Sequence, residues 1–291
     1  MKESEKKKEL KKIISQVNRS EISSIKQTVS QIISTINDPK STAKDLTKLI
    51  EIDPPLTARL LKLANSAYYG YAKKISEIQE AIICIGFDAV KELALSQKVC
   101  ELFKSDEYIS GYTRKSLWQH SVAVAICSKL IFRREFQKQG DNIYAAGLLH
   151  DLGIIILDQF FHSMFKELLK KAMKKKCNLS EVEKEMLGFD HTEIGKALVI
   201  DWGFPDEIAV SINHHHEPCH VKEEYRVISR TLAVSDSVMQ ERLIGYCDSP
   251  YKKNKILNNC LNELNINNYA MDLIVHDVKK ELSKMKKAGW F

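Results

Sequence analysis

The sequence predicts an all-α protein, and two features of the chain support this fold class. Apolar residues recur every three or four positions along most of the chain, as they do on one face of a helix, and sustained strand-like alternation is missing from the sequence. Glycine and proline number only 11 and 6 among 291 residues, which is too few for a loop-dominated or collagen-like architecture. We expect an N-terminal helical bundle packed on a second helical bundle.

The first elements follow from spacing and from the residues that interrupt it. The charge-rich segment Lys2–Lys12 predicts a frayed, solvated helix. Residues 22–36 place their isoleucines at helical spacing, and Asn37-Asp38-Pro39 ends the pattern. A short helix is predicted over 41–50 with Ser or Thr as its cap, and another follows Asp53-Pro54-Pro55.

The same helical spacing continues to the end of the chain. It covers 78–100, with a break at Gly86, and a charged, turn-prone segment at 104–113 predicts a domain boundary. Further helices are predicted near 116–135, 142–158, 161–176, 180–200, 205–216 and 223–240, with two more in the tail. The predicted parts are a basic N-terminal extension (1–20), an N-terminal helical subdomain (21–110), a second helical subdomain carrying the candidate site (111–245) and C-terminal helices (246–291).

Composition and charge exclude several classes of protein. A net charge of +6 is too weak to indicate a nucleic-acid partner, so direct nucleic-acid binding is not expected. The most apolar stretch, 145–157, contains His150 and Asp151, so a membrane span is not expected either. Seven scattered cysteines without a C-x-x-C pair indicate a reduced compartment, and the charged first residues lack the apolar region of a secretory signal. We expect a cytoplasmic protein.

The pair His150-Asp151 is the most informative feature of the second subdomain. A single histidine on an apolar helix is usually a core residue that bonds to a backbone group. Asp151, however, follows within the apolar stretch, where an unpaired carboxylate would be costly. A cation or a bound metal is the simplest compensation, and adjacent ligands would let the imidazole hold one metal while the carboxylate bridges to a second.

Other histidines and one aspartate complete a candidate ligand set. Successive candidates are separated in the chain by about the length of one helix and its connecting turn. Successive helices of a bundle could therefore each supply a ligand. The candidates are His120, His191, the triplet His214-His215-His216, and Asp236. Nitrogen and oxygen donors favour a divalent transition metal such as Fe, Mn, Zn or Ni. For His162, His220 and His276 we expect ordinary surface or core positions.

Four segments together resemble the HDOD family of bacterial signalling proteins. They are Asp53–Leu61 (DPPLTARLL), Leu63–Gly70 (LANSAYYG), Ala146–Gly153 (AGLLHDLG) and Ile212–Pro218 (INHHHEP). The likeness covers roughly 22–239 and is most specific at 65–70. It implies an all-α protein related to the HD metal-dependent phosphohydrolase superfamily, with an added N-terminal helical region and a regulatory role that usually lacks demonstrated catalysis.

The resemblance also assigns roles to the candidate ligands. The residues that match the four-ligand HD pattern are His120, His150, Asp151 and Asp236. The residues that match the extra ligands of the related HD-GYP phosphodiesterases are His191, His215 and His216. Asp151 would then bridge two metal ions, and it is the expected catalytic residue if the protein is active.

Three departures from the related enzymes bear on function. Ile154 replaces the lysine that commonly follows the His-Asp-x-Gly stretch, which removes a cation that could neutralise phosphate charge. No Gly-Tyr-Pro loop follows His216, and substrate contacts that such a loop would make are therefore lost. Ser116, four residues before His120, stands where some HD-GYP proteins place a further acidic ligand, so a third metal is not expected.

These observations leave three functions, with the oligomeric state undetermined. The expected function is signal-transduction regulation, in which the metal-bearing protein binds a protein partner of a signalling pathway or a small nucleotide ligand. The alternative is a metal-dependent phosphohydrolase or phosphodiesterase that acts on a nucleotide or cyclic dinucleotide. The third is an oxidative enzyme, because some relatives in the HD superfamily use a mixed-valent iron pair with oxygen.

Overall fold

The computed structural model describes residues 3–66, 69–71, 73–105, 107–247 and 255–287. These residues are predominantly helical and contain no β-strand, which confirms the predicted all-α class. Before residue 107 the helices are α1 (Glu3–Asn18), α2 (Ile22–Asn37), α3 (Ala43–Glu51), α4 (Pro54–Ala64), α5 (Ile78–Ile85) and α6 (Phe87–Cys100). Ala67 and Tyr68 of the family-like signature, and parts of the predicted N-terminal extension and C-terminal segment, lie outside the described residues.

The remaining helices follow residue 107; we call those up to Glu241 the second bundle and the last two the tail. They are α7 (Arg114–Glu135), α8 (Asp141–Leu149), α9 (Leu152–Phe160), α10 (His162–Lys175), α11 (Leu179–Leu187), α12 (His191–Asp201), α13 (Asp206–Asn213), α14 (Arg226–Glu241), α15 (Lys255–Glu263) and α16 (Asn268–Lys287). Short 3₁₀ turns occur at Glu101–Phe103 and Glu223–Tyr225.

Capping residues fix the starts of helices in the N-terminal bundle. Thr42 begins α3 with a capping box, as its sequence position predicts. Asp53 caps α4 by accepting a hydrogen bond from the backbone N–H of Leu56 at 3.1 Å. The second carboxylate oxygen of Asp53 accepts a hydrogen bond from the Lys98 ammonium at 2.7 Å, which ties α6 to α4.

Helix α7 is the central element of the second bundle. Its 22 residues pack against α8 and α14, and side chains such as Val122 and Ala125 are fully buried between these helices. Helix α12 packs against α9 and α13. These contacts bring the end of α8, the start of α12 and the end of α13 close to α7. The candidate site lies where they meet.

Two predicted helices are divided in the structure. The predicted helix 142–158 is interrupted at His150 and Asp151, between α8 and α9. The predicted helix 180–200 is interrupted after α11 at Gly188, whose φ of +82° is a left-handed conformation that glycine adopts readily. Apolar residues continue at helical spacing across both interruptions, so the sequence pattern did not reveal them.

Helix α1 covers the lysine-rich segment, and most of residues 4–12 are exposed, as expected for a solvated helix. Helix α1 extends to Asn18 and buries Ile13 and Val17 against the rest of the protein. It packs against α12, where Lys6 forms an ion pair with Glu193. The apolar residues of α1 follow its lysine run, and they supply the burial that the lysines alone do not suggest.

The stretch Asp141–Phe160 is long and apolar enough to cross a membrane by length and composition. In the structure, however, 89% of its most apolar window is buried inside the protein. A helical segment in the core of a protein is buried in this way, so the stretch is only weak evidence for a membrane span.

Candidate metal centre

The structure brings all seven predicted ligands into one cluster inside the second bundle. They come from five parts of the chain: His120 on α7, His150 and Asp151 between α8 and α9, His191 at the start of α12, His215 and His216 after α13, and Asp236 on α14. Six of these side chains are buried, and His216 is the one that remains partly exposed, at 18%.

The ligand atoms form two groups. One contains His120, His150 and Asp151, and its potential ligand atoms lie within 4.8 Å of one another. The second contains His191, His215 and His216 and meets the same limit. Two neighbouring sets of this kind are what a pair of metal ions would require.

The Asp151 carboxylate lies between the two groups and faces both. Its Oδ2 is 3.1 Å from Nε2 of His150 and 4.0 Å from Nε2 of His120. Its Oδ1 is 3.5 Å from Nε2 of His191 and 3.7 Å from Nε2 of His215. Each carboxylate oxygen therefore faces the histidines of a different group, as the oxygens of a bridging carboxylate do.

Asp236 is the second carboxylate among the seven candidate ligands. Its Oδ1 is 2.9 Å from Nε2 of His120 and 3.8 Å from Nε2 of His150, and it accepts a hydrogen bond from the Gln240 amide at 2.9 Å. Its Oδ2 is 3.9 Å from Nδ1 of His216. Asp236 thus completes the first group and also contacts the second.

Backbone carbonyls orient the imidazoles of His150 and His215. Nδ1 of His150 donates to the Gly147 carbonyl at 2.8 Å, and Nδ1 of His215 donates to the Ile212 carbonyl at 2.7 Å. A carbonyl can only accept, so Nδ1 carries the proton and the Nε2 lone pair points into the cluster in the neutral ring. Nε2 of both residues is buried without a hydrogen-bond partner, as a metal-ligating nitrogen would be before it is metallated. The donor set therefore fits a transition metal.

Glu183 is a functional candidate that the sequence reasoning missed. Its Oε2 accepts hydrogen bonds from Nδ1 of His191 at 2.6 Å and from the His191 backbone N–H at 2.9 Å. The side chain is fully buried in α11. A signal was present in the sequence, since Glu183 is spaced with Leu179, Val182 and Met186 on the apolar face of that helix.

Charges within the cluster alter the pKa values of its members. Burial lowers the pKa of His150, but the Asp151 carboxylate outweighs this and raises it to about 9. Burial likewise lowers the pKa of His191, and the Glu183 carboxylate raises it to about 10. Burial raises the pKa of Asp151, but His150 holds it well below its ordinary value. Burial and the nearby His216 depress the pKa of His215. The cluster thus combines buried anions with imidazoles of unlike basicity.

A glycine allows the two halves of the cluster to approach closely. A Cβ atom on Gly153 would overlap the backbone carbonyl of His191. Only glycine therefore lets the start of α9 lie against the start of α12, which brings Asp151 next to His191.

Comparison of the sequence with known protein families matches most of the chain to a single domain family. The family model of the HDOD domain matches residues 22–218, which are well over half of the chain and include six of the seven candidate ligands. The chain belongs to the HDOD domain family. His191, His215 and His216 fall inside the matched HDOD region, whereas Asp236 lies beyond it.

Solved structures agree with the HDOD assignment. An HDOD domain protein of unknown function from Geobacter sulfurreducens is 27% identical with a TM-score of 0.76, and the match covers 91% of this chain and 92% of that one. A Marinobacter aquaeolei VT8 protein assigned to signal transduction is 24% identical (TM-score 0.73; 90% and 58% covered). A Shewanella amazonensis SB2B protein assigned as a phosphohydrolase is 20% identical (TM-score 0.67; 96% and 95% covered). The last two likenesses concern the fold alone.

One relative is considerably longer than this chain. An uncharacterized protein of Treponema pallidum (strain Nichols) is 27% identical over 210 residues, which are 70% of this chain and 39% of that protein. The matched region thus spans less than half of that relative.

Two of the departures from the HD pattern have structural roles in this HDOD protein. Ile154 is almost fully buried in α9 and belongs to the hydrophobic core. Ser116 completes the capping box at the start of α7, where Thr113 is the N-cap: the Ser116 hydroxyl accepts a hydrogen bond from the Thr113 backbone N–H at 3.1 Å. Neither side chain is available as a cation or a metal ligand.

The other histidines lie outside the two ligand groups. His214 is half-buried and belongs to neither group. His162 is 2.9 Å from Asp158 and 3.2 Å from Glu107. His220 and His276 are exposed.

Proposed function

We propose that this HDOD protein is a signalling regulator whose second bundle holds two divalent transition-metal ions, drawn from Fe, Mn, Zn and Ni. In its metal-loaded form it acts mainly by binding a small nucleotide ligand or a protein partner. The observation that carries the proposal is the position of the Asp151 carboxylate, with one oxygen towards each group of histidines. The HDOD family match supports the signalling role.

The donors divide into two sets that share Asp151. The first set consists of His120, His150, Asp151 and Asp236, and the second of Asp151, His191, His215 and His216. All seven donors are nitrogen or oxygen, which suits borderline divalent ions better than thiolate-seeking ones. Hydrogen bonds to Gly147, Ile212 and Glu183 hold three of the imidazoles in place from outside the sets.

Hydrolysis of a phosphorylated ligand is the second candidate function. A bound metal pair would lower the pKa of a water molecule and hold phosphate oxygens. Partly exposed His216 gives this candidate its support, because it leaves the second set open on one side. Ile154 supplies no cation to assist a leaving group, so we expect turnover to be slow at best. Phosphodiester turnover by the metal-loaded protein is the readout that separates hydrolysis from binding alone.

Metal content tests the main proposal directly. We expect elemental analysis of protein purified without a metal-affinity tag to give about two transition-metal equivalents per chain. Asp151→Ala removes the shared carboxylate and should reduce the content to less than half. His220→Ala, which removes an exposed histidine outside the cluster, serves as the matched control and should retain the metal. Folded wild-type protein that takes up no metal would overturn the proposal.

A further inference from the structure

A groove of about 1080 Å³ lies beside the candidate metal centre, between α1 and α12. Partly exposed His216 lines it, together with Asp190 and Thr192, the neighbours of His191 in the chain. Because the other six candidate ligands are buried, the groove offers a ligand a route to the centre along the His216 side.

We propose that this groove binds a nucleotide, whose phosphate groups lie between basic side chains of α1 and α12 and point towards His216. The part of this inference that places phosphate groups near His216 rests on the proposed function. The part that concerns the α1 wall rests instead on the positive charge of that helix. Helix α1 also lies outside the residues that match the HDOD family model, so the family assignment says nothing about this wall.

Contacts at both ends hold α1 over α12. Near the start of the helix, Lys6 forms an ion pair with Glu193. Near its end, the Asn18 amide donates a hydrogen bond to Asp201 at 3.0 Å, and Lys26 of α2 lies 2.7 Å from the same carboxylate. These contacts, together with the buried apolar face of α1, make the helix a fixed wall of the groove.

The charge left unpaired in the groove is positive. Six basic and four acidic side chains line it. Two of the acidic groups are those that hold α1, and the other two, Asp190 and Glu217, each lie 3.3 Å from the Lys184 ammonium. Three basic side chains in the lining have no ion-pair partner among the described residues: Lys11, Arg19 and Lys196. An anionic ligand would neutralise them.

Size and apolar surface favour a nucleotide over a single phosphate ion. The volume of about 1080 Å³ is slightly above the usual range of about 300–1,000 Å³ for small-molecule sites and greatly exceeds what one phosphate needs. Ile200 is 53% exposed, and it lines the groove with Leu10, Ile14 and Ala197. A ligand that has both phosphate groups and a flat, partly apolar base would satisfy both kinds of surface.

The test is a titration of the full chain with the fluorescent nucleotide mant-GDP, in the Mn²⁺-loaded and the metal-free form, with inorganic pyrophosphate as competitor. Lys11→Glu and Lys196→Glu reverse one charge on each wall. Lys8→Glu makes the same change at an exposed position of α1 outside the groove and is the matched control. We expect each groove variant to bind about tenfold more weakly. We expect Lys8→Glu to bind like wild type and all three variants to retain their metal content.

The outcomes separate this proposal from the metal function. Metal uptake without nucleotide binding, or equal affinities of Lys11→Glu and Lys8→Glu, would overturn the groove proposal and leave the metal centre standing. A wild-type chain that takes up no metal but binds mant-GDP in a Lys11-dependent manner would support the groove and overturn the metal function. Displacement by pyrophosphate would show that the phosphate groups are recognised.

Discussion

Glu183 contacts a candidate ligand more closely than Asp151 contacts any of the four histidines around it. Its carboxylate receives both the ring N–H and the backbone N–H of His191. Such an outer partner fixes the ring orientation and increases the basicity of the ligating nitrogen. At the residue scale, the sequence could single out candidate ligands that the structure brings together, because His and Asp in an apolar segment need an explanation. It could not predict which carboxylate supports which ring, since that depends on how α11 packs beside α12.

We therefore expect Glu183→Gln to weaken metal binding without unfolding the protein. Glutamine keeps an acceptor for the ring N–H but loses the negative charge, so metal affinity should fall by about 10–100-fold. Competition against a chromophoric chelator would measure the affinity. Glu185→Gln on the same helix alters only an exposed ion pair with Lys171 and Lys175 and should leave the affinity unchanged. Equal affinities for the two variants would show that Glu183 has no role at the centre.

The helices themselves follow the sequence closely, but their interruptions do not. The isoleucine spacing of α2 and the Thr42 cap of α3 are visible in the chain, and the structure has both where they are predicted. The interruption at 150–151 is different, because apolar residues on both sides continue the helical pattern. After this interruption, Gly153 lets the start of α9 lie against His191 at the start of α12. An approach between two helices that are far apart in the chain leaves no periodic signal in the sequence.

The ion pair between Asp53 and Lys98, which joins α4 to α6, predicts how the free energy of unfolding changes at acidic pH. Burial raises the pKa of Asp53, but hydrogen bonds from Lys98 and from the Leu56 N–H outweigh it and leave the pKa below its ordinary value. A carboxylate with a depressed folded pKa stabilises the protein above its unfolded pKa of about 3.9, and this contribution is lost as the pH falls through the folded value.

Asp53→Asn should accordingly lower the free energy of unfolding by about 2 kcal/mol at pH 7. The difference from wild type should shrink as the pH falls below about 4, where the wild-type carboxylate also becomes neutral. Urea unfolding at a series of pH values would measure it. Asp38→Asn, at an exposed position that ends α2, is the control and should change stability little at any pH. A difference that stays constant down to pH 2 would argue against an ionic contribution from Asp53.

At the scale of the whole molecule, the cluster joins parts of the chain that lie more than a hundred residues apart. His120 and Asp236 face each other at 2.9 Å, and Asp151 lies between them and the residues after α13. The spacing of the candidates along the chain is consistent with one ligand per helix, but spacing alone does not determine where helices meet. Convergence depends on the packing of α7 against α8 and α14 and of α12 against α9 and α13, and that packing is tertiary information.

Because the donors come from five parts of the second bundle, metal binding should stabilise the folded chain as a whole. An ion that binds only the native state adds about 4 kcal/mol when its free concentration is a thousand times Kd. For a chain of this size, that corresponds to a rise in Tm of roughly 5–10 °C. Differential scanning calorimetry of metal-loaded and chelator-treated protein would measure the rise. Asp151→Ala, which lacks the shared ligand and binds less metal, should show a much smaller difference in Tm between the two conditions. A wild-type Tm that does not respond to removal of measured, bound metal would mean that the metal is held outside this cluster.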